Sequence, residues 1–282
     1  MDFVTQFEND GYVIIPAFFP KHVITAAIKS AEDLVDQFAE NLIERRLIPD
    51  RYSDQSFDKR LSSLCEAATE DVAPSIFRKE LHLPGLFDVF FSPLLLDHIS
   101  TILGNEIRLY PNYSIRPKLR DHAPTLVLWH QDGGYTHNAH LKSGHPDNHV
   151  EILRMVNVWA PLVPATEENG CMQFIPGTHT IGLAQHDSKE FYLEIAQEDL
   201  APYKHRAVSI ELNPGDIVLF HNMLYHQGLP NHSDHIRWSM DWRYQDATQS
   251  TLRNENGHLA RSVSRLDEVV RSPDHWAQLN FG

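Results

Sequence analysis

Ile24, Ala27, Ile28, Ala31, Leu34, Val35, Phe38, Leu42 and Ile43 recur at three- and four-residue intervals, the period that gathers apolar side chains on one face of a helix. The pattern predicts one long amphipathic helix over about 22–46, with its carboxylates and lysines on the solvated face. Upstream, residues 7–10 read as the end of a short helix, Gly11 as its stop, and residues 12–15 as a strand ending at Pro16. A second apolar stretch with helical spacing runs over 86–103. Pro93 follows Ser92 within it and starts a new helix there, and Gly104 ends that helix. Residues 50–80 are polar and show no clear period.

From residue 107 the texture changes to short runs of β-forming residues between Pro, Gly and Asn. The runs predict strands near 107–116, 124–131, 152–160, 171–175, 206–212, 216–220 and 236–244. Helices followed by many short strands predict an all-β core with flanking helices, a double-stranded β-helix of the jelly-roll, cupin-like kind with the N-terminal helices packed on one sheet. No repeat, low-complexity tract or linker divides the chain. A single domain over 1–282 is expected, with helical support to about 105, the jelly-roll core over about 106–245, and a C-terminal tail over 246–282.

Composition adds little, with 42% hydrophobic and 22% charged residues in 282, an ordinary globular balance. Charge adds more. A formal net charge of -14 argues against nucleic acid or an anionic membrane as partner, while leaving room for a local basic pocket that takes an anionic small molecule. Cys65 and Cys171 cannot form a disulfide framework, and the first residues do not read as a basic-then-apolar leader, so a cytoplasmic setting is expected. Apolar runs such as Leu94-Leu95-Leu96 fall far short of a membrane span.

The candidate chemistry starts at Trp129-His130-Gln131-Asp132-Gly133-Gly134, which closes the run at 124–131. On a strand His130 and Asp132 share a face and Gln131 takes the other. An imidazole and a carboxylate so placed fit two of the three ligands of a two-histidine, one-carboxylate facial triad, which leaves open positions on the metal. The motif alone is weak, because 18 His and 38 acidic residues give about 2.4 such pairs by chance. Of the other pairs, His145/Asp147 spans a proline in a polar stretch and His232/Asp234 lies in a turn. His149/Glu151, at the start of an apolar run, is the one serious rival.

The downstream segment decides between them. Pro214-Gly215-Asp216 turns into a strand, and His226 follows at the start of the next strand or loop, a natural position for the third ligand. Arg237 comes eleven residues later on another strand. A guanidinium can take a dicarboxylate end-on through two parallel hydrogen bonds, which a lysine cannot reproduce. Ser239 would share its face and add a hydroxyl.

These stretches resemble the phytanoyl-CoA dioxygenase family of Fe(II)/2-oxoglutarate oxygenases. The resemblance rests on Asp10-Gly11-Tyr12-Val13, Trp129-His130-Gln131-Asp132, Glu168-Asn169-Gly170-Cys171-Met172 through Pro176-Gly177-Thr178-His179, Pro214-Gly215-Asp216, and His226 through Asn231, Ser233 and Arg237. It implies that His130, Asp132 and His226 bind Fe(II), that Arg237 holds the distal carboxylate of 2-oxoglutarate, and that Trp159 lines the co-substrate pocket. It further implies O2 as oxidant, ascorbate as reductant in vitro, and oxidation of a small organic molecule by hydroxylation, desaturation, epoxidation or rearrangement, in a monomer or homodimer. His221 competes with His226 but breaks the family's spacing to Arg237. Where many relatives have a serine two residues after the distal histidine, this chain has Gly228, and the interval from Asp132 to Trp159 is long. That interval, from Gly133 to about residue 148, reads as a loop closing over the substrate, with Tyr135 as its contact. A non-redox metal hydrolase or isomerase on the same barrel, or a silent binding protein, are the alternative readings.

Overall fold

The computed structural model describes residues 2–142 and 150–281. Asp2 accepts a hydrogen bond from Thr5 N at the head of α1 (Phe3–Asp10), and Gly11 closes that helix at φ 78°, a left-handed conformation open to glycine. The long periodic run forms α2 (Lys21–Glu44), which buries Ala27, Ala31, Leu34 and Leu42. The stretch without clear period contains α3 (Phe57–Ala67). The second apolar stretch is divided as its proline predicts, into α4 (Phe87–Phe90) and α5 (Pro93–Leu103), with Ser92 accepting from Leu95 N at the head of α5.

The strands are β1 (Tyr12–Ile15), β2 (Ile107–Leu109), β3 (Ser114–Lys118), β4 (Met155–Pro161), β5 (Met172–Phe174) and β6 (His186–Ser188). They continue with β7 (Leu193–Ile195), β8 (Val208–Ile210), β9 (Ile217–His221), β10 (His226–Gly228), β11 (Arg237–Asp246) and β12 (His258–Arg261). Helices α6 (Asp132–Lys142), α7 (Gln197–Leu200) and α8 (Pro273–Gln278) complete the described elements. A large antiparallel sheet runs β1-β9-β4-β11-β2-β12, with β3 also paired to β11; a smaller sheet runs β10-β5-β8, and β6 and β7 form a hairpin. This is a jelly roll, with the helices against the outer face of the large sheet.

Strand β11 explains the architecture most directly. All ten of its residues are buried, yet they alternate in kind. Trp238, Met240, Trp242 and Tyr244 face the helices and join the main apolar core, while Arg237, Ser239, Asp241 and Arg243 face the interior of the roll. The neighbours keep step with this alternation. Arg116 lies opposite Ser239, Ser114 and Trp159 opposite Asp241, and Asn157 opposite Arg243. Val156, Val158 and Ala160 of β4 point to the helical side. A strand covered on both faces thus carries an apolar row for the core and a polar row for the site.

Three expectations need correction. The predicted strand at 107–116 is two strands, interrupted around Pro111. The predicted strand at 124–131 is not a strand, because the proline-containing 3-10 turn Ala123–Thr125 opens it and only His130 makes a ladder contact, with His226. Strands β6, β7 and β12 have no sequence signal, since three or four residues are too few to show alternation, while β10 starts at His226, where a strand or loop is expected. The C-terminal segment adds β12 to the sheet and sets α8 under it. Trp276 there is fully buried and donates to Leu81 O at 3.0 Å, so its truncation to alanine should cost about 3–5 kcal/mol.

Candidate active site

His130 and His226 are brought together by backbone, since His130 N donates to His226 O at 2.8 Å and His226 N to His130 O at 3.0 Å. Their rings lie 4.0 Å apart, centroid to centroid. Asp132 reaches the same point not from a strand but as the first residue of α6. Between them, Gln131 points away and is fully buried. It donates to Gly182 O and Met223 O and accepts from Ala184 N, all within 2.9 Å, which pins the turn to two loops.

Each imidazole is oriented by its own chain. His130 Nδ1 lies 2.7 Å from Leu128 O, and His226 Nδ1 lies 2.8 Å from Leu224 O. A carbonyl only accepts, so each Nδ1 carries the proton and each Nε2 offers its lone pair inward. Burial pulls both imidazole pKa values below the ordinary range, keeping them neutral as metal binding requires. Asp132 lies between them, Oδ1 3.8 Å from His130 Nε2 and Oδ2 3.9 Å from His226 Nε2. Burial opposes its charge, but the Arg243 guanidinium and the two imidazoles more than offset this and hold the carboxyl well below the usual range. The ligand atoms of all three residues fall within 4.8 Å of one another. Two neutral imidazoles and one carboxylate are the donor set of a two-histidine, one-carboxylate iron site, and the residues fit such an ion.

Arg237 lines the same cavity, which measures about 340 Å³. Its Nε donates to Gly170 O at 3.2 Å, its Nη1 donates to Ser239 Oγ, and its guanidinium carbon lies 5.4 Å from the centre of the Trp159 ring. Burial lowers its pKa to about 10, which still leaves it charged at neutral pH. Ser239 thus orients Arg237 as an acceptor and keeps its own proton free to donate. At Gly228 a Cβ would meet Lys118 Nζ at 2.8 Å and approach Arg237 Nη2 to 3.9 Å. The glycine therefore makes room for a buried lysine, whose Nζ donates to Leu229 O at 2.6 Å.

Sequence reasoning missed the residues behind the triad. Arg243 Nη2 donates to Asp132 Oδ1 at 2.7 Å and Asn157 Nδ2 to Oδ2 at 2.6 Å, so each carboxylate oxygen has a fixed donor. Arg243 also donates to Asp241 Oδ1 at 3.1 Å, and Asp241 Oδ2 accepts from Ser114 and Arg116 at 2.7 and 2.6 Å. The signal for this network was present. Arg237-x-Ser239-x-Asp241-x-Arg243, between Trp238, Met240 and Trp242, is a polar row on one face of a strand whose other face is large and apolar.

Other candidates fall elsewhere. His221 accepts from Met223 N at 3.1 Å and packs against Phe7 and His179, apart from the cluster. His232 is exposed and paired with Asp121 at 2.7 Å. His145 and His149 lie outside the described residues. The expected loop after Asp132 begins instead as helix α6, and its glycines serve close packing. A Cβ at Gly133 would come 2.5 Å from Met223 Sδ, and one at Gly134 would come 2.7 Å from the His186 ring. Tyr135 sets its ring edge-on to His130 at 5.3 Å, accepts from Leu193 N at 3.1 Å, and lines the cavity.

The phytanoyl-CoA dioxygenase family model matches residues 7–239. The mouse phytanoyl-CoA dioxygenase domain-containing protein 1 is 33% identical over 90 residues, covering 30% of this chain and 31% of the relative, so that match spans under a third of the relative's length. Its homolog in Dictyostelium discoideum is 29% identical over 307 residues, covering 98% of this chain and 95% of that one. Among solved structures, EctD from S. alaskensis with 2-oxoglutarate and 5-hydroxyectoine superposes with a TM-score of 0.64 at 18% identity, covering 95% of this chain and 86% of that one.

Proposed function

The chain belongs to the phytanoyl-CoA dioxygenase family, and from that premise we propose that it is a mononuclear non-haem Fe(II), 2-oxoglutarate-dependent dioxygenase that oxidises a small organic molecule. One observation carries this reading. Two imidazoles with Nε2 freed by their own backbone, and a carboxylate between them, share one cavity with a buried arginine. The arginine separates it from a hydrolytic metal site, which has no need of a guanidinium placed for a dicarboxylate. A structure of the same fold that contains 2-oxoglutarate is consistent with this assignment.

His130, Asp132 and His226 would hold the iron, which when bound couples decarboxylation of 2-oxoglutarate and reduction of O2 to oxidation of a C–H bond, yielding succinate and CO2. Arg237 would take the distal carboxylate through two parallel hydrogen bonds, with Ser239 and Trp159 fixing the plane of its guanidinium. Lys118 lies behind that end, beside Gly228, where burial and the neighbouring arginines pull its pKa well below the usual lysine range. Arg243 and Asn157 keep Asp132 ionised and aimed. Tyr135 forms a wall where the oxidised part of the substrate would lie, edge-on to His130. Hydroxylation is the simplest outcome; desaturation, epoxidation or rearrangement needs only a different placement of the substrate. The test is turnover under air with Fe(II) and 2-oxoglutarate. Succinate should form with iron and not with zinc, and zinc-supported hydrolysis without succinate would contradict the proposal.

A further inference from the structure

The chain carries a net charge of -14, yet five arginines and two aspartates line the cavity, an excess of three positive charges. A divalent ion and the 2-oxoglutarate dianion cancel each other and leave that excess in place. Three of the arginines already have roles: Arg237 faces the co-substrate end, Arg243 is paired with Asp132 and Asp241, and Arg116 with Asp241. Arg78 and Arg253 remain.

Arg78 is positioned by Phe77, whose backbone exchanges hydrogen bonds with Ile115 of β3 at 2.9 and 3.0 Å. Its Nε is buried with no hydrogen-bond partner, and its side chain meets no carboxylate among the described residues. Arg253 is braced from one side only. Its Nε donates to Tyr110 OH at 3.0 Å and its guanidinium lies over the Tyr110 ring, while no carboxylate meets it among the described residues. Guanidinium donors left without acceptors away from water are costly. Arg78 and Arg253, partly buried, line one cavity with no carboxylate partner among the described residues, which makes a site for an anion, and field lines from the excess charge focus there. Phe191, Ile76 and Val127 supply apolar surface on the same cavity.

We infer that Arg78 and Arg253 form an anion subsite, and that the primary substrate is an organic molecule with a hydrocarbon body and a carboxylate or phosphate group held there. The inference rests on the dioxygenase reading for which molecule is oxidised, and it is tested without turnover. Decanoate, decanamide and decyl phosphate, together with cyclohexanecarboxylate and its amide, are titrated by calorimetry into the protein with Mn(II) and 2-oxoglutarate present. The anions should bind more tightly than the matched amides by about tenfold or more. Tighter binding of the carboxylate or of the phosphate identifies the head group, and either supports the subsite. In Arg78→Gln and Arg253→Gln the preference should shrink toward unity, and Arg78→Lys should restore part of it, while the dissociation constant for 2-oxoglutarate changes far less. Equal binding of acid and amide, binding of neither, or a preference that survives both substitutions would overturn the subsite. Failure of the dioxygenase reading would show differently, as absent binding when 2-oxoglutarate itself is titrated into the Mn(II)-loaded protein.

Discussion

Arg243 Nη2 donates to Asp132 Oδ1 at 2.7 Å, joining the middle of β11 to the first residue of α6 across 111 positions of sequence. This pair keeps a fully buried carboxylate ionised. With Arg243→Gln, the burial that pushes Asp132 up is opposed only by the imidazoles and Asn157, its pKa rises, and the carboxylate takes up a proton at a higher pH than in the native protein. Iron affinity at neutral pH should drop by about 10- to 100-fold, and the pH below which metal is lost should move upward. Co(II) titrations across pH measure both. An unchanged pH profile would refute the role.

Arg237→Lys replaces a two-pronged donor with a point charge. Breaking a buried, hydrogen-bonded charge pair costs about 2–5 kcal/mol, or roughly 30- to several-thousand-fold in affinity. The Michaelis constant for 2-oxoglutarate should rise by an amount in that range. An unchanged constant would remove Arg237 from the co-substrate site.

Gly228→Ser tests the lysine that fills the glycine's place. The added Cβ would meet Lys118 Nζ at 2.8 Å and drive the amine off Leu229 O. Leaving that buried donor without its acceptor should cost about 1–3 kcal/mol of stability, read as a lowered melting temperature. Gly228→Ser with Lys118→Met should regain part of the loss.

The C-terminal helix is set against a pair of histidines. His82 stacks on Trp276 at 3.9 Å and its Nδ1 lies 3.0 Å from Trp276 O, while His258 packs edge-on to both rings. Burial lowers the pKa of each, that of His258 to about 4. In the unfolded chain these imidazoles take up protons near their ordinary pKa of about 6.5, whereas the folded state resists until the pH is lower. Stability from this cluster is therefore complete above about 6.5 and lost progressively between about 6.5 and 4. His258→Phe should flatten the acid limb of melting temperature against pH. The same slope in native and variant protein would rule the cluster out as its source.

What the sequence made legible follows from range. Gly11, Pro93 and Gly104 act on their own backbone, and the helix ends they predict are found. His130, Asp132 and His226 converge as their spacing and context suggested. The strand assigned to His130 and Asp132 was wrong because a turn and a helix start can also aim two side chains at one point. The loop after Asp132 was misread because Gly133 and Gly134 look like flexibility, although contacts with Met223 and His186 require them. Arg78 and Arg253 carry no local sign of the cavity they share. Arg78 is placed by the pairing of its neighbour Phe77 with Ile115, and Arg253 by Tyr110, contacts that only the folded sheet brings about.

The central claim is that His130, Asp132 and His226 bind one iron to which 2-oxoglutarate is added. It is tested most directly by anaerobic titration of Fe(II) and 2-oxoglutarate while following the visible charge-transfer band of the chelated 2-oxo acid. The band should saturate at one iron per chain, disappear in His226→Ala and in Asp132→Ala, and persist in His221→Ala and His149→Ala. Its absence from the native protein, or its survival in His226→Ala with loss in His221→Ala, would contradict the assignment.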